Sequence, residues 1–332
     1  MNDINDIVKQ YGYIKKAVPS GLNIIDAIKN LKKEKNAIIL AHFYQTGDIQ
    51  DIADFVGDSL KLAQEAEKTD ADIIVFAGVH FMAETAKILN PNKKVILPDL
   101  NASCSLAESA PYKQFKAFRE AHSDHVVVSY VNSSTEVKAL TDIICTSSNA
   151  VEIINSIPAD KPILFAPDKN LGSYLEKMTG KKMTLWDGAC HVHKAFSVEK
   201  IIALKKDFPN AKILAHPECE KPLLTISDYI GSTSALLKYT DNIDINQFIV
   251  ATESGILHQM QKQHPDKMFI PAPPDDSTCA CNDCEFMKMN TLEKIYWSLK
   301  EEAPQINIEE NLRLQALRPI KAMLDISAKK GL

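Results

Sequence analysis

Glycine is scarce in this chain, 11 among 332 residues. None falls in the spacing G-x-G-x-x-G or G-x-x-x-x-G-K-[ST] that wraps backbone around nucleotide phosphates. A bound phosphate must therefore be held by hydroxyls and helix N-termini. Long apolar runs are also missing: nothing approaches the ~18 residues that span a bilayer. The opening "MNDINDIVKQYGYIKK" carries charges every few residues, unlike a secretory leader. Lysine and arginine are spread along a chain of net charge −5, which excludes the basic patch of a nucleic-acid binder. Seven cysteines, an odd number scattered over a long chain, lack the density of a disulfide scaffold and indicate metal ligation or catalysis. These absences describe a soluble cytoplasmic protein that acts on small molecules, with no nucleic acid and no membrane as partner.

What is present is a repeat. His42 to Ser59, Tyr130 to Ser147 and His216 to Thr233 align without a gap, their starts spaced 88 and then 86 residues apart. Each copy begins where an apolar run ends ("AIILAH", "VVVSY", "AKILAH"). An acidic residue follows twelve positions on (Asp54, Asp142, Asp228), then a short strand-like run, and a hydroxyl at position seventeen (Ser59, Ser147, Thr233). A helical pattern, a third apolar run, another helix and a fourth run complete each copy. Strands alternating with helices predict parallel βαβ sheets. The expected fold is α/β: three analogous domains, each a small parallel sheet flanked by helices, about a pseudo-threefold axis with a central active site. The expected boundaries are a helical arm over 1–35, domains over 36–120, 121–208 and 209–290, and a helical tail over 291–332.

In an open parallel sheet, ligands bind beyond the carboxyl ends of the strands. Residues n and n+2 at a strand exit face the same side, which pairs His42 with Tyr44, Tyr130 with Asn132, and His216 with Glu218. Singly, each has a plain explanation: a serine or threonine at a helix start is usually a cap, and a lone histidine or tyrosine usually core. Recurrence at one spacing is what favours a site. The fourth run of each copy leads into cysteine: Cys104, Cys190, and one of Cys279, Cys281 and Cys284 in "STCACNDCEF". Cys145 and Cys219 suit buried, inert thiols. Three thiolates around a four-iron, four-sulfur cluster would leave one iron open as a Lewis acid for dehydration chemistry. The rival readings are another three-cysteine hydro-lyase, a cluster-carrying redox sensor with Cys219 as fourth ligand, and a structural zinc protein.

From about residue 36 to 300 the chain closely resembles the quinolinate synthase family. The segments that carry the likeness include "AHFYQ", "DIADFVGDSLKLA", "YVNSSTEVKA", "FAPDKNLGSYLEKMTGKKM", "GACHVH", "HPEC" and "CEFMKMNTLEKIYWSLK". The resemblance implies condensation of iminoaspartate with dihydroxyacetone phosphate to quinolinate, in NAD biosynthesis, with an aspartate-oxidising enzyme as metabolic partner. It implies cluster ligation by Cys104, Cys190 and Cys284, since "CEFMKMN" follows the last of these. Where some relatives carry C-x-x-C-x-x-C, this chain has Thr278 in place of the first cysteine. Carried over residue by residue, the catalytic groups are Glu218, His216, His193, Tyr44 and Tyr130, and the substrate-binding groups His42, Ser59, Asn132, Ser147 and Thr233. Glu218 is expected to work as general acid/base if burial raises its pKa towards neutrality.

Overall fold

The computed structural model describes residues 4–276 and 283–332. Cys279 and Cys281, expected to stand outside the cluster, lie outside the described residues. The chain divides into two compact units, Met1–Cys104 with Glu285–Leu317, and Ser105–Cys284 with Arg318–Leu332.

Each repeat builds one four-stranded sheet. The first unit holds β1 (Ala37–His42), β2 (Phe55–Gly57), β3 (Ile73–Ala77) and β4 (Lys94–Ile96), in the order β2-β1-β3-β4. In the second unit, β5 (Val126–Tyr130), β6 (Ile143–Cys145), β7 (Ile163–Ala166) and β8 (Met183–Leu185) take the order β6-β5-β7-β8. So do β9 (Lys212–Ala215), β10 (Tyr229–Ile230), β11 (Gln247–Ala251) and β12 (Met268–Pro271), in the order β10-β9-β11-β12. Every pairing in the three sheets is parallel, as strands joined by helical crossovers require. The central strands are buried on both faces, which explains their continuous apolar runs: all five residues of β3 and all four of β7 are buried.

The repeated acid has a structural role. Asp54, Asp142 and Asp228 accept the backbone N–H of Ile39 (2.7 Å), Val127 (2.8 Å) and Ile213 (2.9 Å), all in the first strand of their sheets. Each acid's own N–H returns to the same residue's carbonyl, at 2.9, 3.0 and 2.9 Å. The pair pins the second strand beside the first in one register and leaves the exit of the first strand at a fixed height.

In the first unit, Ile28, Ile39, Val75 and Ile96 pack with Ile295, Tyr296, Trp297 and Leu299 in one core. The last four belong to the helix Leu292–Glu301, so a segment from the far end of the chain closes the core of its beginning. In the second unit, Phe196, Ile201, Ile213, Leu223 and Ile249 form one core and Phe115, Val127, Val137 and Leu164 another. The final helix, Glu310–Lys330, contains Pro319. Among the described residues no helix is long and apolar enough to cross a membrane.

Candidate active site

The strand exits of the second and third sheets converge on Glu218, which is 3% exposed. Tyr130, the last residue of β5, donates its hydroxyl to Glu218 Oε1 at 2.6 Å. His193, in the short helix His191–Lys194 after β8, brings Nδ1 to 3.1 Å from Glu218 Oε2. Its Nε2 lies 2.9 Å from Thr252 Oγ1, just past β11. His216 stacks on His193, ring centroids 4.6 Å apart, and its Nδ1 accepts the Glu218 backbone N–H at 3.4 Å. Its Nε2 faces Ser147 Oγ at 3.2 Å. Asn170 donates to the Glu218 carbonyl at 3.1 Å and fixes the strand exit from the other side.

The charge state of Glu218 departs from the expectation of a raised pKa. Burial does push the carboxyl upward, but the neighbouring His193 and His216 and the hydrogen bonds from His193 and Tyr130 outweigh it and lower the pKa to about 2. Glu218 is a carboxylate oriented by its donors. The opposite holds for Asp168, fully buried after β7: burial first, and then the Glu218 charge, push it well above the ordinary carboxylate range.

Cys190 joins this group. A Cys190, His193 and Glu218 ligand atom each lie within 4.8 Å of one another, a donor set able to hold a metal ion. Cys104, Cys190 and Cys284 are all half-buried, whereas Cys145 and Cys219 are fully buried. Burial pushes both of the latter thiols well up, and Cys219 Sγ donates to the Ala251 carbonyl at 3.4 Å. The two classes of cysteine are separated by environment: three half-buried thiols, and two held neutral in the core.

Elsewhere in the second unit, Asn132 Oδ1 is buried with no hydrogen-bond partner among the described residues. Thr233, buried at 3% exposure, opens the helix Thr233–Tyr239. In the first unit, His42 and Tyr44 meet edge-to-face at 4.4 Å, and the Tyr44 N–H donates to His42 Nδ1 at 3.2 Å. This is the backbone-to-imidazole contact of Glu218 and His216, repeated at the equivalent strand exit. The hydroxyls at position seventeen are not the caps. Asp58 and Ser232, one residue earlier, accept the Lys61 and Ala235 N–H groups, which leaves the Ser59 and Thr233 hydroxyls outside that duty. Ser147 lies in a turn ahead of the helix Ala150–Ser156.

Sequence reasoning missed Asp168, Asn170, Thr252 and Glu253. They sit beyond the third strands, where only part of the pattern recurs: "FAGV", "FAPD" and "VATE".

Comparison with known proteins gives one consistent result. Residues 26–325 match the family described as quinolinate synthetase A protein. The chain is 61% identical over 306 residues to the quinolinate synthase of Nostoc punctiforme, covering 92% of this chain and 94% of that protein. It is 60% identical over 311 residues to that of Trichormus variabilis (93% and 96% covered), and 58% identical over 308 residues to that of Chloroherpeton thalassium (93% and 96%).

Proposed function

The chain belongs to the quinolinate synthase family and is an enzyme of NAD biosynthesis, and on that premise we propose that it condenses iminoaspartate with dihydroxyacetone phosphate to quinolinate, phosphate and two waters. The atoms of the two substrates are fully accounted for in those products, so no oxidant or reductant is consumed. The site must bind anionic substrates, move protons and help oxygen leave as water. The observation that carries the reading is the buried chain Tyr130–Glu218–His193–Thr252, with contacts of 2.6, 3.1 and 2.9 Å.

The half-buried thiols of Cys104, Cys190 and Cys284 suit soft thiolate ligation, and these residues would hold a four-iron, four-sulfur cluster. When bound, the cluster supplies an open iron that polarises a substrate hydroxyl or carboxylate oxygen. This chain's own groups do the rest. Glu218, ionised, keeps His193 oriented and stabilises it when it takes up a proton; Tyr130, donating to the same carboxylate, is placed to pass a proton on as that hydrogen bond breaks. His216 is the second relay, through Ser147, which its Nε2 faces at 3.2 Å. Asn132 Oδ1, a buried acceptor, orients substrate. Ser59, Ser147 and Thr233 bind the carboxylates and the phosphate, and His42 and Tyr44 complete the substrate contacts. The enzyme works in the cytoplasm downstream of an aspartate-oxidising enzyme, because iminoaspartate hydrolyses in water.

The test is an anaerobic assay of the iron-loaded protein with dihydroxyacetone phosphate and iminoaspartate generated in place. Quinolinate and phosphate formed in equal amounts support the reading. Iron-loaded protein that forms neither contradicts it.

A further inference from the structure

Two buried carboxylates outside the catalytic chain touch the backbone of expected cluster ligands. Asp168 and Glu253 are each 0% exposed and stand two residues past the ends of β7 and β11. Asp168 accepts the Leu171 N–H on Oδ1 (2.7 Å) and the Cys190 N–H on Oδ2 (3.2 Å). Glu253 accepts the Gly255 N–H on Oε2 (2.7 Å) and the Cys284 N–H on Oε1 (3.1 Å). In both, one oxygen ties the carboxylate to its own loop and the other reaches a cysteine more than twenty residues on. The side chains differ by a methylene and the loops differ in length, yet the same bond is made.

The first repeat shows what the carboxylates add. Its equivalent position is Val79, which offers no carboxylate, and there the His80 N–H bonds the Ala102 carbonyl at 2.7 Å. The second repeat keeps that bond as Lys169 N–H to the Gly188 carbonyl (2.9 Å), again two residues before the cysteine. The carboxylate is thus a second tether, added in two repeats of three and aimed at the ligand residue itself.

We propose that Asp168 and Glu253 are positioning residues for the cluster, each fixing the backbone of one ligand cysteine, Cys190 and Cys284, so that its thiolate is presented before iron arrives. This rests on the reading of those cysteines as ligands. Groups that orient a metal ligand typically change metal retention about 10- to 100-fold when removed. Asparagine or glutamine at these positions keeps one acceptor oxygen and turns an N–H donor towards the other backbone N–H, so one tether is lost with little change of volume.

The experiment reconstitutes wild type, Asp168→Asn, Glu253→Gln and Asp142→Asn anaerobically, records the visible spectrum of the cluster, and follows iron loss to an excess of ferrous chelator. Asp142 also accepts a backbone N–H, but from Val127 and not from an expected ligand cysteine, and controls for general loosening. The expected result is cluster assembly in all four, with iron lost at least about tenfold faster from Asp168→Asn and Glu253→Gln and at the wild-type rate from Asp142→Asn. Wild-type rates in the first two variants overturn the proposal, as does equal acceleration in Asp142→Asn. If Asp168→Asn does not fold, Glu253→Gln decides by the same criterion. Wild type that binds no iron overturns the ligand reading first, and the proposal with it.

Discussion

Glu218 meets Tyr130, His193 and His216 with its carboxylate, and its substitution separates chemistry from assembly. Glu218→Gln keeps the shape but removes the charge that orients His193 and Tyr130. Turnover should fall about 10²-fold or more, while iron content stays at the wild-type level; unchanged turnover would remove Glu218 from the mechanism. Tyr130→Phe deletes one charge-assisted hydrogen bond, a change on the order of 1.5–3 kcal/mol. If the hydroxyl contributes in the transition state, kcat should drop roughly 10- to 100-fold with KM little changed. A rise in KM alone would assign Tyr130 to binding. The polar pairs at the first-strand exits were legible because they recur at one spacing. The ionised state of Glu218 was not, because it depends on His193, which reaches it from another loop of the fold.

Among the elements, the repeated aspartates and the loops before cysteine fix the strand exits and the thiols. Asp142→Ala should cost about 1–3 kcal/mol, the penalty for leaving the Val127 N–H without its acceptor, measured by urea unfolding. Asp228 adds a pH signature. Burial raises its carboxyl, but the hydrogen bonds from Lys212 and the Ile213 N–H prevail and hold it below the ordinary value. A carboxyl depressed on folding contributes stability that is present above its unfolded pKa, about 4, and lost as pH falls through the folded value. Asp228→Asn should therefore lose less stability than wild type as pH falls below about 4, read from urea midpoints; identical acid limbs would contradict this. Gly188 tests the cysteine loop. A Cβ there would come within 2.4 Å of the Pro167 carbonyl oxygen and 2.3 Å of Ser109 Oγ. Gly188→Ala should shift the Cys190 loop and deplete iron, and an iron count equal to wild type would show that the loop adapts. The strands and crossovers were readable from apolar runs of the right period. The residues that cap the helices were not legible, since Asp58 and Ser232 compete with their neighbours for the same N–H groups and only geometry shows which prevails.

For the whole molecule, the three parallel sheets were evident in the repeat, but the division of the chain was not. The helix Leu292–Glu301 shares a core with Ile28 and Ile39, a pairing across more than 250 residues that no local pattern announces. At this scale the proposed function requires that one cysteine from each repeat, and no other thiol, loads the enzyme with its cofactor. The measurement that tests it most directly is iron and acid-labile sulfide per chain after anaerobic purification, in wild type and in alanine variants of Cys104, Cys190, Cys284, Cys219 and Cys281. About four of each are predicted for wild type, Cys219→Ala and Cys281→Ala, with loss in the other three. Zinc in place of iron, or equal loss in Cys219→Ala or Cys281→Ala, would contradict it.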